Sequence, residues 1–147
     1  MNSMIRLLSG VFALILFTSF TRNAEDGIRV SVKAVRSAKG HMLISLYRDN
    51  KGYPDNPSAA FRKAQVDISN GEASVLFSGL PAGEYAVSIL HDENDDQKMN
   101  KNNLGLPREG YGFSNNVVGA FGPPSWNRAR FSHRSQSLTT IQIRIRY

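Results

Sequence analysis

Between His91 and Asn116 the chain reads HDENDDQKMNKNNLGLPREGYGFSNN, a polar stretch broken by Gly and Pro between segments of strand-like alternation. Asp92, Asn94 and Asp96 stand at alternate positions, the spacing by which the opening of a calcium loop turns hard oxygens toward one large cation. Lys98 would add its backbone carbonyl, and Asn100 or Asn103 a side-chain oxygen. Glu109 is placed either to return and close this set or to pair with Arg108 or Lys98. With so few carboxylates, calcium bound at weak affinity is the cofactor such a set implies. Several residues oppose it. Gln97 stands where calcium loops put glycine for a sharp turn, Asn103 stands where a bidentate glutamate would close the site, and Lys98 and Lys101 reduce the local negative charge. The competing reading is an Asx-rich loop whose side chains bond its own backbone.

The same stretch holds groups from which a hydrolase would be assembled: His91 beside Asp92, then Glu109 and Ser114. No nucleophile elbow, zinc helix or phosphate loop accompanies them, and no catalytic residue is assigned. Strand phase puts His91 on the face of Tyr85, Val87 and Ile89 and Asp92 on the opposite one, whereas catalysis needs converging groups. A strand-end histidine bonded to loop backbone is the plainer expectation, with His41 and His133 solvated in turns. Tyr111, Phe113 and Trp126, together with His91, form a candidate ligand-binding set. Such aromatics stack on sugars or proteins, and equally pin a loop onto its scaffold. LPREG also resembles a sortase signal, but Glu109 replaces the required Thr and no hydrophobic tail follows.

The elements that would carry these residues read as strands. Ile28, Val30, Val32 and Ala34 alternate with Arg29, Ser31 and Lys33, and Met42, Ile44 and Leu46 repeat the pattern after a turn over Ser37 to Gly40. Asn56 before Pro57 predicts the cap and first position of a short helix, PSAAFRKA. Ala64, Val66 and Ile68, the turn Ser69-Asn70-Gly71-Glu72, then Ala73, Val75 and Phe77 predict a hairpin. Ala129 and Phe131 predict a short strand and Leu138 to Tyr147 a last one, with Ile141, Ile143, Ile145 and Tyr147 on one face. The terminal aromatic also suits an outer-membrane barrel, for which the long strands are too few. About seven strands, almost no helix and no repeat predict an all-β, antiparallel two-sheet β-sandwich over 28–147.

Two resemblances add to this. The pattern Phe77, Leu80, Pro81, Gly83, Tyr85, Val87 looks like the loop and central strand of transthyretin-like and carboxypeptidase-regulatory-like sandwiches. More specifically, Tyr85 to Asn116, followed by Gly122-Pro123-Pro124-Ser125-Trp126 and Ala129, resembles the bacterial domain of unknown function 2141. His91, Asp92, Asn94, Asp96, Lys98 and Asn100 match its first block. Gly105, Pro107, Glu109, Gly110, Gly112, Phe113, Ser114 and Asn115 match its second. The resemblance implies export and a sandwich fold, and no activity.

Composition sets the remaining bounds. The 147 residues suffice for one domain, and 41% hydrophobic residues can bury a core. Met1 to Thr21 reads as a secretory signal: Arg6 is its positive region, and Val11 to Phe17 is too short a run to span a bilayer. An uncleaved signal anchor is the alternative, and cleavage would leave no stable membrane insertion. The chain has no cysteine, which excludes disulfides, thiolate metal sites, a catalytic cysteine and a lipid-bearing cysteine. The expected address is periplasmic or secreted, with an envelope ligand or protein as partner and no nucleic acid. A formal charge of +6 favours solubility, since the cations look scattered along the chain. A non-catalytic binding or structural module is the leading expectation, with a hydrolase using His91, Asp92 and Glu109, or a transport accessory, as alternatives.

Overall fold

The computed structural model describes residues 25–147, so the signal segment expected over Met1 to Thr21 lies outside the described residues. Strands β1 (Gly27–Lys33), β2 (His41–Tyr47), β3 (Arg62–Val66) and β4 (Ala73–Phe77) come first. β5 (Gly83–Asp92), β6 (Gly110–Phe113), β7 (Phe131–His133) and β8 (Leu138–Arg144) follow, with one short helix, α1 (Trp126–Ala129), before β7. They make an all-β, two-sheet sandwich. One sheet runs β4-β1-β8; the other runs β3-β2-β5-β6, with β7 also paired to β5. All pairs are antiparallel except β1 and β8, which run parallel from Gly27 opposite Leu138 to Lys33 opposite Arg144. No helix among the described residues is long and apolar enough to cross a membrane, which leaves membrane β-barrels unaddressed.

The period-two pattern builds the core. Ile28, Val30 and Val32 of β1 and Ile143 of β8 face Met42, Ile44 and Leu46 of β2 and Tyr85, Val87 and Ile89 of β5, all buried in one cluster. Each such side chain contributes about 1.5–3 kcal/mol by leaving water. The Tyr85 hydroxyl, buried with its ring, donates to the Pro81 carbonyl at 2.7 Å and ties the Leu80-Pro81 loop to the strand that follows it. β2 is also covered on its other face: Tyr47 packs edge-on against Tyr53, and its hydroxyl donates to the Pro54 carbonyl at 3.1 Å.

Local expectations are corrected in several places. Asn56 caps as expected, accepting from the Ser58 amide, but only Pro57–Ala59 is helical, as a single 3-10 turn. The free edge of β2 draws Arg62 to Val66 into a strand, which places Ala64 and Val66 against the core. The turn Ser69 to Glu72 forms, with Asn70 at φ 51° and Gly71 at φ 74°. Its flanking strands are no hairpin, because β3 pairs with β2 and β4 with β1, and the turn is a corner between sheets. Ala34, expected in the core, is exposed at φ 63°; the phase slips there and Val35 points inward instead.

The residue 91–116 stretch leaves β5 and returns as β6. Beyond β8 the chain crosses to this strand: Tyr111 and Arg146 exchange both backbone bonds, each 2.9 Å, so the two sheets are laced together along this side. Gly110 and Gly112 face that crossing. A Cβ at Gly110 would lie 2.5 Å from Ile145 Cγ2, and one at Gly112 2.7 Å from Ile143 Cγ2. Neither glycine has a positive φ; close approach, not an unusual backbone angle, requires them.

Candidate functional site

The loop is organised by two buried carboxylates. Asp92, 1% exposed at the end of β5, accepts from the Asp96 amide (3.2 Å, Oδ1) and the Gln97 amide (2.8 Å, Oδ2). Glu109, 4% exposed just before β6, accepts from the Glu93 amide through Oε1 and the Asn100 amide through Oε2, both at 3.0 Å. Each carboxylate thus closes a loop by satisfying two backbone donors that no strand partner reaches. Glu109 returns to the Asp92 stretch as expected, and forms no ion pair with Arg108 or Lys98 within 4.0 Å.

Asp96 is exposed and completes the cluster. Oxygens of Asp92, Asp96 and Glu109 all lie within 4.8 Å of one another. The Asn100 side-chain amide donates to Asp96 at 2.8 Å, and the Lys98 backbone amide donates at 2.9 Å. These donors, Asn100 first, hold the Asp96 carboxyl below its ordinary range. Asn94 bonds Asp96 in both directions, donating to its carboxylate at 3.2 Å and accepting from its amide at 3.3 Å. Asn103 stays apart from this cluster, exposed on the far end of the loop. The sharp turn forms without glycine, since Asp95 (φ 60°) and Gln97 (φ 61°) take left-handed conformations at about 1–2 kcal/mol each. A carboxylate has about four lone-pair sites, so the amide bonds leave oxygen capacity on all three groups.

His91 lies beneath this loop, fully buried. Its Nε2 bonds the Lys39 carbonyl at 2.9 Å and its Nδ1 the Tyr147 hydroxyl at 2.7 Å, as a strand-end histidine anchored on loop backbone would. The Tyr147 hydroxyl also accepts from the Arg36 amide at 3.0 Å, and its ring lies 4.1 Å from the Arg36 guanidinium. Burial pushes the Tyr147 phenol up from its ordinary value. Arg36 forms a two-pronged pair with Glu93, to which the Ser37 hydroxyl also donates. The guanidinium, foremost, holds the Glu93 carboxyl down at about 2. Arg36, Glu93 and Tyr147 come from three distant parts of the chain, and nothing in the sequence links them.

Ser114 is fully buried, accepting from the Val87 amide at 2.9 Å and donating to the Ala129 carbonyl at 2.6 Å. His91, Glu109 and Ser114 therefore each bond different partners and none bonds another. The aromatics expected to meet a ligand pack largely on each other: Tyr53 stands edge-on to Trp126 (5.8 Å) and Phe113 (6.4 Å), and Tyr111 is 5.9 Å from Phe113. Asn115 donates from its side chain to the Arg128 and Arg130 carbonyls and clamps α1 onto this group. Tyr53 joins this group with no motif to announce it.

Two histidines depart from expectation. His133 is buried in β7, edge-on to Tyr85 and bonded to the Thr139 hydroxyl at 2.8 Å, because β7 is drawn onto the start of β5. His41 opens β2 and is half-buried, and the carboxylate of Asp95 beside it raises its pKa. No curated protein and no solved structure matches the chain. The sequence profile of domain of unknown function 2141, described as an uncharacterized protein conserved in bacteria, matches residues 30–142, and the chain belongs to that family.

Proposed function

We propose that the chain is an exported, non-catalytic binding module of the bacterial envelope, in which residues 91–116 form a built polar surface on a sandwich scaffold. The observation that carries this reading is the use made of the polar groups. Asp92 and Glu109 are occupied with four loop amides, and His91 and Ser114 with two partners each. Bonds of this kind order a surface, and His91 and Ser114 have both ring nitrogens and the hydroxyl engaged, whereas a general base or nucleophile needs a free lone pair aimed at a substrate. Export rests on the sequence of Met1 to Thr21. Expression of the whole chain in a bacterium, with fractionation and mass measurement, tests it: the expected product is shortened at its N-terminus and found in periplasm or medium. Full-length protein in the cytoplasm would overturn that part.

A divalent cation is the second reading, favoured by the approach of Asp92, Asp96 and Glu109 to within 4.8 Å. Calcium takes about six to eight oxygens in flexible geometry. Three carboxylates with the side-chain oxygens of Asn94 and Asn100 suit that demand better than the strict octahedron of magnesium. Calcium would then raise the melting temperature by binding only the folded state, and Asp92→Ala and Asp96→Ala would each lose the increment. Identical melts in calcium and in chelator would remove the cation from the account. A sugar-binding role for Tyr111, Phe113 and Trp126 is less favoured, since these half-buried rings pack on one another and on Tyr53.

A further inference from the structure

Cations that look scattered in the sequence meet in the fold. An open cleft of about 680 Å³ lies between the β1–β2 connection and the residue 91–116 loop, lined by Arg36, Lys39, Lys101 and Arg108 with Asn94 and Asn100. Two carboxylates, Glu93 and Glu109, also line it. Glu93 is paired with Arg36, and Glu109 bonds the amides of Glu93 and Asn100 and keeps its charge. Lys39, Lys101 and Arg108 have no carboxylate within 4.0 Å among the described residues.

The backbone that carries these three cations is fixed. The Lys39 carbonyl is held by His91, Lys101 pairs with Pro107 in an isolated bridge, and the Arg108 amide donates to the Asn100 carbonyl at 2.8 Å. Arg36 joins the two walls, donating across the cleft to the Arg108 carbonyl at 3.2 Å. Three cationic heads without an ion pair stand on anchored backbone around one cleft, and within its lining they outnumber Glu109, the one carboxylate without an ion pair.

We propose that this cleft binds an oligomeric anion, a chain bearing carboxylate or phosphate groups at intervals, with Arg108 as the forked contact and Lys39 and Lys101 as point charges. Arginine's planar fork engages two oxygens of one such group, while lysine accepts any orientation. Three separate cations around one cleft suit an anion with several charged groups better than one with a single group. The inference rests on the ordered-loop reading above; the cleft shares Glu109, Asn94 and Asn100 with the calcium reading, and the test is therefore made in chelator.

The test is calorimetric titration of the folded mature protein, in chelator, with a short oligogalacturonate, a short inorganic polyphosphate, and a neutral dextran of matched length. One or both anions are expected to bind and the dextran not to; which anion binds identifies the charged group. Lys101→Ala and Arg108→Ala should each weaken binding about tenfold, the equivalent of one charge-assisted hydrogen bond. Lys51→Ala and Lys63→Ala, which remove the same charge outside the cleft, should leave it within about twofold after allowance for general screening. Equal weakening by all four variants would mean attraction to a cationic protein as a whole and would overturn the site. So would binding to phosphatidylglycerol vesicles but to neither soluble anion. Failure to bind by a protein whose loop amides are protected from exchange would sink this inference alone; failure with unprotected amides would sink the loop reading with it.

Discussion

Glu93 shows how a residue without a recognisable motif can hold the site together. Its carboxyl lies at about 2, chiefly because the Arg36 guanidinium bonds it. A carboxylate depressed in the folded state adds stability that is present above its ordinary value near 4.5 and lost as pH falls toward 2. Glu93→Gln should therefore cost about 1 kcal/mol at neutral pH, the scale of a part-exposed pair. The gap between variant and parent should close in urea titrations as pH is lowered from about 5 to about 2. A gap that persists unchanged at low pH would show that the pair contributes nothing through its charge. At this scale the sequence was partly legible. The alternation of Asp92, Asn94 and Asp96 and the return of Glu109 follow from short-range chemistry, and both appear in the fold. Arg36, Lys39 and Tyr147 were not legible, because what makes them matter is the pairing of strands far apart in the chain.

Among the elements, β6 is the most constrained. Its alternate glycines lie against β8 and the residues after it, so a methyl group at either position has no room. Gly112→Ala should lower stability by about 1–3 kcal/mol, the usual cost of overpacking, measured by chemical denaturation. Equal stability would mean that the crossing is looser than the 2.7 Å approach implies. Strand identity was legible wherever one face is buried, as in β1, β2, β5 and β8, because period-two alternation is the physical signature of that situation. Partnership was not: the Asn70-Gly71 turn gives the right local geometry for a hairpin and serves instead as a corner between sheets. Pro57 likewise starts a helix that the open edge of β2 cuts short. Local signals choose a backbone conformation, and tertiary pairing decides what it joins.

For the molecule as a whole, the sandwich was foreseen and the parallel β1–β8 pair was not, since strand direction in a pair leaves no mark on composition. The sandwich supplies a rigid frame, β5 and β6 carry the polar loop out and back, and Asp92 and Glu109 tie that loop down. Amide hydrogen exchange of the folded protein in chelator tests this central claim most directly. The amides of Glu93, Asp96, Gln97 and Asn100 should be protected in the parent, and Glu109→Gln should expose those of Glu93 and Asn100 while β1 and β5 stay protected. Exchange of all four amides at free-peptide rates in the parent protein would contradict the account.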